Sequence, residues 1–276
     1  MKKQSFYQKL KRKKDYQEQL EKLFVLIVLV RQNHPRMSAR DIYHLLKPGF
    51  IGRDNFERFC MERGLRIGQL RNYRVTTNSL GVTRFPNLIK DFKCTGVNQV
   101  FVSDITYFEL GLDTYYLTFI MDLFNREIVG WAASDNLRTE STTLAALRMA
   151  IKVRGKDNFK NAILHSDGGG QYYDNGFKDL TKELGIKNSM TESKVFENTH
   201  AERLNGIIKN NYLYPYGPKD FASLKRMLRK AVLMYNTEKP HSALGKLTPA
   251  MCRTVDNENN SASYCPLSTV YHHYQN

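Results

Sequence analysis

Phe101-Val102-Ser103-Asp104-Ile105-Thr106-Tyr107 sets a single carboxylate inside a run of apolar, β-branched and aromatic residues, the composition of a central strand. A bare carboxylate in that setting loses hydration, and the loss must be offset by hydrogen bonds or a cation. The full run is Val100 to Phe108. Two more follow, Thr114 to Phe124 and Arg126 to Ser134, with turn signals at Gly111 to Asp113 and near Asn125. Together they predict a three-stranded antiparallel meander.

Downstream, Glu140 to Arg154 predicts a helix with Thr139 as N-cap and Gly155 as its stop, and Ala162 to Ser166 a short buried strand. Another helix spans about Asn175 to Leu184 and ends at Gly185. Two more follow, from about His200 to Asn211 and about Phe221 to Asn236, the second with Phe221, Leu224, Leu228, Val232 and Tyr235 on an inward face. The predicted order, β-β-β-α-β-α-α-α, is that of a mixed α/β layer.

Toward the N-terminus, Leu20, Leu23, Phe24, Ile27 and Val30 recur at helical spacing. That apolar face either packs within its own domain or joins copies of the chain. Ser38 and Asp41 open a second helix as N-cap and capping-box partner, Pro48-Gly49 stops it, and a third runs from about Arg53 to Arg63 with Gly64 as its cap. A helix-turn-helix would offer Arg53, Asn55 and Arg58 of its second helix to the major groove. A small helical bundle with a solvated charged face fits the same residues. The expected plan is a helical DNA-binding or assembly region over 1–70 and a basic linker over 71–95, carrying Arg71, Arg74, Arg84, Lys90 and Lys93. An α/β core over 96–253 and a polar tail over 254–276 complete it.

Composition narrows the partners. Lys and Arg number 42 against 27 Asp and Glu, a formal charge of +15, and the sequence pI is about 9.6. A polyanion is the expected partner, nucleic acid ahead of an anionic membrane surface. The longest apolar run, Leu23 to Val30, is too short to span a bilayer, so a cytoplasmic protein is expected. Cys60, Cys94, Cys252 and Cys265 are scattered without a C-x-x-C pair, which predicts reduced thiols in place of a zinc knuckle or disulfide framework.

Asp167 follows Ile163-Leu164-His165-Ser166 and precedes Gly168-Gly169-Gly170. This puts a second acid at a strand's carboxyl end, where open α/β sheets bind ligands, with room for close approach. A third acid, Glu202, falls in the first turn of the helix beginning near Thr199, where Thr199-x-x-Glu202 also reads as a capping box. Taken singly, each of these acids reads as a cap, a turn or a solvated residue. Together, in so basic a chain, they read as the parts of a two-metal phosphoryl-transfer site.

Val102-Ser103-Asp104-Ile105-Thr106-Tyr107, His165 to Tyr172, and Asn198 to Glu202 resemble the three signatures of the DDE superfamily of retroviral integrases and bacterial transposases. Within it, the chain resembles the second-frame (OrfB) protein of two-frame insertion sequences. Met121 to Trp131 and Tyr235-Asn236-x3-Pro240-His241-Ser242-Ala243-Leu244-Gly245 match flanking stretches. Thirty-four residues separate Asp167 from Glu202, one fewer than the family spacing. The rival third acids, Glu192 and Glu197, precede the helix.

The resemblance implies an RNase H-like integrase catalytic core with an N-terminal all-α helix-turn-helix-like region. It makes Asp104, Asp167 and Glu202 the holders of two Mg2+ ions, or Mn2+ in their place, for strand cleavage and transfer, with a circular intermediate before integration. Lys209 and Asn205 become candidate DNA contacts on the helix that carries Glu202. Arg203 contacts phosphate or pairs with a carboxylate. His165 orients Asp167 or is held in its strand, and Asp122 is a turn residue. Implied partners are DNA ends and target, a homo-multimer, and an upstream-frame protein or its frameshift fusion. A nuclease that does not join strands, and a non-catalytic DNA-binding regulator, fit the same residues.

Overall fold

A computed structural model describes residues 3–68, 85–191 and 198–258, which fall into two compact units, 3–68 and 85–258. In the first, α1 (Lys3–Asn33), α2 (Ala39–Leu46) and α3 (Arg53–Glu62) share one core. Leu20, Leu23, Leu26, Ile27 and Val30 of α1 pack with Ile42 and Leu46 of α2 and with Phe56, Phe59 and Cys60 of α3. The apolar face of α1 is therefore buried within its own unit. Ser38 caps α2 by accepting from the Asp41 N–H at 3.1 Å, and Lys47, in the left-handed region, ends it. Gly64, at φ +69°, follows α3.

The second unit is built on β1 (Val100–Leu110), β2 (Asp113–Asp122), β3 (Ile128–Ser134), β4 (Ile163–Ser166) and β5 (Lys187–Met190), in the order β3-β2-β1-β4-β5. β1, β2 and β3 are antiparallel neighbours, while β4 pairs parallel with β1, and β5 with β4. Side chains alternate across the sheet. Val102 and Phe108 of β1 face α6 (Thr199–Ile208) and α8 (Phe221–Thr237). Phe101 and Ile105 face α4 (Thr143–Arg154) and α5 (Asn175–Glu183). α6 passes into a wide π turn over Lys209–Leu213 and a last turn, α7 (Tyr214–Tyr216), where Pro215 lacks an N–H. A further helix, α9, spans Pro249–Glu258. This sheet order between two helical layers is the RNase H-like α/β fold.

Several elements differ from the sequence pattern. β5, Lys187-Asn188-Ser189-Met190, was not expected: it is a four-residue edge strand without alternating apolar residues, and β4 alone recruits it. The helix expected from Glu140 starts at Thr143, after a separate 3-10 turn at Thr139–Ser141. The hydroxyls of that Ser/Thr run bond locally: Thr142 to the Arg138 carbonyl at 2.8 Å, Ser141 to Asn136 at 2.8 Å. The chain stays helical beyond Arg253, to Glu258. Of the basic stretch 71–95, residues 71–84 lie outside the described residues. Phe85 stacks on Tyr173, and the Leu88 N–H donates to Ser189 of β5 at 2.8 Å. Among the described residues no helix is long and apolar enough to cross a membrane.

α4 lies against β3 because small residues line the contact. A Cβ on Gly130 would stand 2.2 Å from the Ala146 carbonyl oxygen and 3.0 Å from the Ala150 Cβ. Gly130→Ala should therefore lower the unfolding free energy by about 1–3 kcal/mol, the usual penalty for forcing extra volume into a packed core. Urea titration would read it; an unchanged midpoint would show that α4 can lift off β3 freely.

Candidate active site of three carboxylates

The parallel pairing of β1 with β4 ends at Ser103 opposite Ser166, so the next residue on each strand is an aspartate. Asp104 shares its sheet face with Val102 and hence with α6. Both carboxyls sit above the usual carboxylate range, Asp104 well above it. For Asp104 the causes are burial first, then the charges of Asp167 and Glu202. For Asp167 burial raises the value, while the Gly169 N–H, 3.1 Å away, and a hydrogen bond from the Asp104 carboxyl hold it back. A Cβ on Gly169 would press on the Asp167 carboxylate at 3.1 Å, so the glycine leaves that oxygen accessible.

Glu202 is exposed on the first turn of α6, and its carboxyl is also raised, by burial and then by the charge of Asp167. The capping-box alternative does not form. Thr199 is already helical, Asn198 is the N-cap residue, and no side chain caps this end. The Glu202 carboxylate makes no hydrogen bond or ion pair among the described residues. Glu192 and Glu197 lie outside them.

α6 is stitched to β1 at three levels. Asn198, buried, donates to the Ser103 carbonyl at 3.1 Å; Asn205, also buried, donates to Asp104 Oδ2 at 2.7 Å. Lys209 donates to Thr106 Oγ1 at 2.8 Å and to the Tyr107 carbonyl at 3.3 Å. Burial lowers the Lys209 pKa, with the Asp104 and Glu109 charges opposing. On the far side of β1, the Tyr172 hydroxyl meets Ser103 Oγ at 2.8 Å in a buried contact. Tyr172 and Asn198 thus brace the residue before Asp104, and no local pattern marks either for that task.

Among the described residues no three His, Cys, Asp or Glu side chains stand close enough to hold a metal ion as they are. Asp104 and Asp167 form a joined pair, and Glu202 reaches them only through its charge. The set nevertheless suits a hard divalent cation. Its donors are all carboxylate oxygens, and its two aspartates are desolvated and repel each other, opposed by the Asn205 amide, the backbone N–H groups of Ile105 and Gly169, and the Lys209 charge.

The other sequence candidates are dispersed. Arg203 is exposed and makes no ion pair among the described residues; it stands near Arg126, which donates to His200 Nδ1 at 2.9 Å. His165 is held inside the sheet by Ser189 at 2.9 Å. Asp122 is fully buried and accepts from the Asn98 and Phe124 N–H groups at 2.7 and 3.0 Å, a structural turn. Beside it, Glu127 pairs with Arg154 at 2.8 Å and Arg253 at 3.0 Å. Asn236 grips Ile128 through both its backbone N–H and carbonyl, and His241 packs edge-on against Tyr235. Arg53, Asn55 and Arg58 lie exposed on α3 of the other unit, Arg53 already paired with Asp54 at 2.9 Å.

Two family models, each described as an integrase core domain, match residues 95–194 and 184–249. A 31 kDa protein of insertion element IS600 from Shigella sonnei is 32% identical, over 84% of this chain and 86% of that protein. The transposase for insertion sequence IS629, also from Shigella sonnei, is 28% identical over 79% and 74% of the two chains. The putative transposase InsK for IS150 of Escherichia coli K12 is 28% identical over 68% and 65%. Among solved structures, the HTLV-2 integrase catalytic core domain in complex with magnesium is 21% identical, covering 58% of this chain and 99% of that one, with a TM-score of 0.47. The chain belongs to the insertion-sequence transposases, whose catalytic part is an integrase core domain.

Proposed function

We propose that Asp104, Asp167 and Glu202 are the acids through which this transposase cuts and joins DNA. The observation that carries the reading is the pair of desolvated aspartates set side by side at one strand edge, with the otherwise unpartnered Glu202 bearing on both. The three would hold Mg2+, or Mn2+, two ions to a site, and such ions stabilise the attacking and leaving oxygens of phosphoryl transfer. Asn205 fixes the Asp104 carboxylate, Gly169 fixes that of Asp167, and Asn198 fixes the start of the helix that presents Glu202. Lys209, tethered along β1, offers a cation to DNA next to the acids, and Arg203 offers another from the exposed face of α6.

The chemistry is two displacements at phosphorus. Water breaks a phosphodiester at the element's end and leaves a 3′-OH; that 3′-OH then displaces a 3′ oxygen in target DNA. Each step exchanges one P–O bond for another and needs no outside energy source. Joining two ends calls for two sites held together, so the working form is a multimer, with end recognition added by an upstream-frame product or its fusion to this chain. Arg53, Asn55 and Arg58 remain candidates for duplex contact in the N-terminal unit.

With labelled element-end DNA and Mg2+, Asp167→Asn should lose both cleavage and joining, by about a thousandfold or more if the acid supports several kcal/mol of transition-state stabilisation. Wild-type rates in that variant would refute the assignment, and cleaved 3′ ends that never enter joined products would mark a nuclease.

Because the ionised aspartates oppose folding when no cation is bound, Asp104→Asn should melt about 2–4 °C above the metal-free wild type, the shift expected from roughly 1 kcal/mol in a chain of this size. Adding Mg2+ should raise the wild-type midpoint and leave the variant's unchanged; equal responses would place the ion elsewhere.

Asn205→Ala should weaken Mg2+ binding about tenfold, as loss of a residue supporting a metal ligand does, while DNA affinity holds. The reverse outcome would make Asn205 a DNA contact instead of a support for Asp104.

A further inference from the structure

α8 buries one face and charges the other. Leu224, Leu228, Ala231 and Tyr235 face the sheet, while Lys225, Arg226, Arg229 and Lys230 are exposed on the opposite side. At the pitch of an α-helix the four bases form two tiers about 6 Å apart along the axis. The helix FASLKRMLRKAVLMYNT contains no acidic residue. None of the four bases makes an ion pair among the described residues, whereas Arg53, Arg63, Arg148, Arg154 and Arg253 each have a carboxylate partner.

Aromatic rings hold two of these bases without neutralising them. Lys225 Nζ stands 4.0 Å from the centroid of the Phe221 ring and Lys230 Nζ 5.2 Å from that of Tyr216. Phe221 is itself stacked on Tyr115 at 4.7 Å. Like charges one turn apart weaken a helix, and this stripe has two such pairs, Lys225 with Arg229 and Arg226 with Lys230. A polyanion lying along it would reverse that cost.

We infer that the outer face of α8 is a second DNA-contacting surface, which holds the sugar-phosphate backbone of duplex DNA without reading bases. The inference rests on the reading of this chain as an enzyme acting on DNA. α8 packs beside α6 on one face of the sheet, and the stripe points away from that sheet. The duplex segment it holds is therefore distinct from the phosphate that reacts at the acids. The rings steady the lysines, and phosphate contacts of this kind set position and strength but not sequence preference.

The test compares two full-length variants of equal charge change: Arg226→Gln with Arg229→Gln, and, as the control, Lys152→Gln with Lys182→Gln, exposed on the helices of the other sheet face. Glutamine keeps helix propensity, and matching circular dichroism and melting curves establish the fold. Lys225→Gln with Lys230→Gln repeats the stripe arm. Anisotropy is read on a random-sequence duplex of about 30 base pairs across a salt series, where each phosphate contact contributes a slope of about 0.9.

The stripe pair should make the plot of log affinity against log salt shallower by about 1.8, equally for unrelated sequences, and the control pair should change it far less. Equal changes in both pairs, or an unaltered slope, would overturn the inference. So would a change in solution mass at constant slope, which would mark the face as a contact between copies. Binding requires no cleavage, so this result is independent of whether the three acids cut DNA.

Discussion

The parallel ladder between β1 and β4 governs the catalytic unit. It brings two strands to the same edge and leaves an aspartate as the next residue of each, in a place where water is scarce. Parallel strands need a crossover, and the chain supplies it with α4 on the face away from α6. Everything near that edge then serves to tolerate two carboxylates in contact. The Asn205 amide, the Gly169 N–H and the Lys209 ammonium each lessen the repulsion, and none removes it. The pair carries its own destabilisation, set against the rest of the fold.

The two aspartates stand out in the sequence because each local context is unusual in itself. Asp104 interrupts a strand composition, and Asp167 stands between a buried strand and three glycines. Glu202 was ambiguous because Thr199-x-x-Glu202 is written identically whether it caps a helix or presents a ligand. The distinction lies in whether Thr199 is the cap or the first helical residue, a one-residue difference that periodicity does not resolve. β5 was illegible because four residues with a lysine and an asparagine hold no alternation to detect. Asn198 and Tyr172 act on Ser103 from 95 and 69 residues away, and contacts that distant have no local signature.

The flanking motifs show how much of a catalytic core's specific sequence is structural. Asp122, Asn125, Glu127 and Arg154 form a buried polar knot at the turn between β2 and β3, closed by Arg253 from α9. Asn236 of α8 grips the first residue of β3 across 108 positions. Such networks are stable only when complete, so α9 is tied to the hairpin that leads away from the acids. The same completeness holds the Asp122 carboxylate to its own turn, where it accepts from the Asn98 and Phe124 N–H groups.

β5 ends the sheet with a short, polar strand, and an open edge of that kind invites pairing with another chain. Here residues just upstream of the core cover it. Phe85 lies over Tyr173, the Pro86 carbonyl accepts from the Met190 N–H at 3.4 Å, and the Leu88 N–H reaches Ser189. A catalytic fragment begun at residue 96, where the strand pattern first becomes visible, would lose this strap and present an adhesive edge. The smallest well-behaved piece of the enzyme must therefore begin at or before Phe85. In this chain the sheet's edge is covered by residues that are not strands of the sheet they protect.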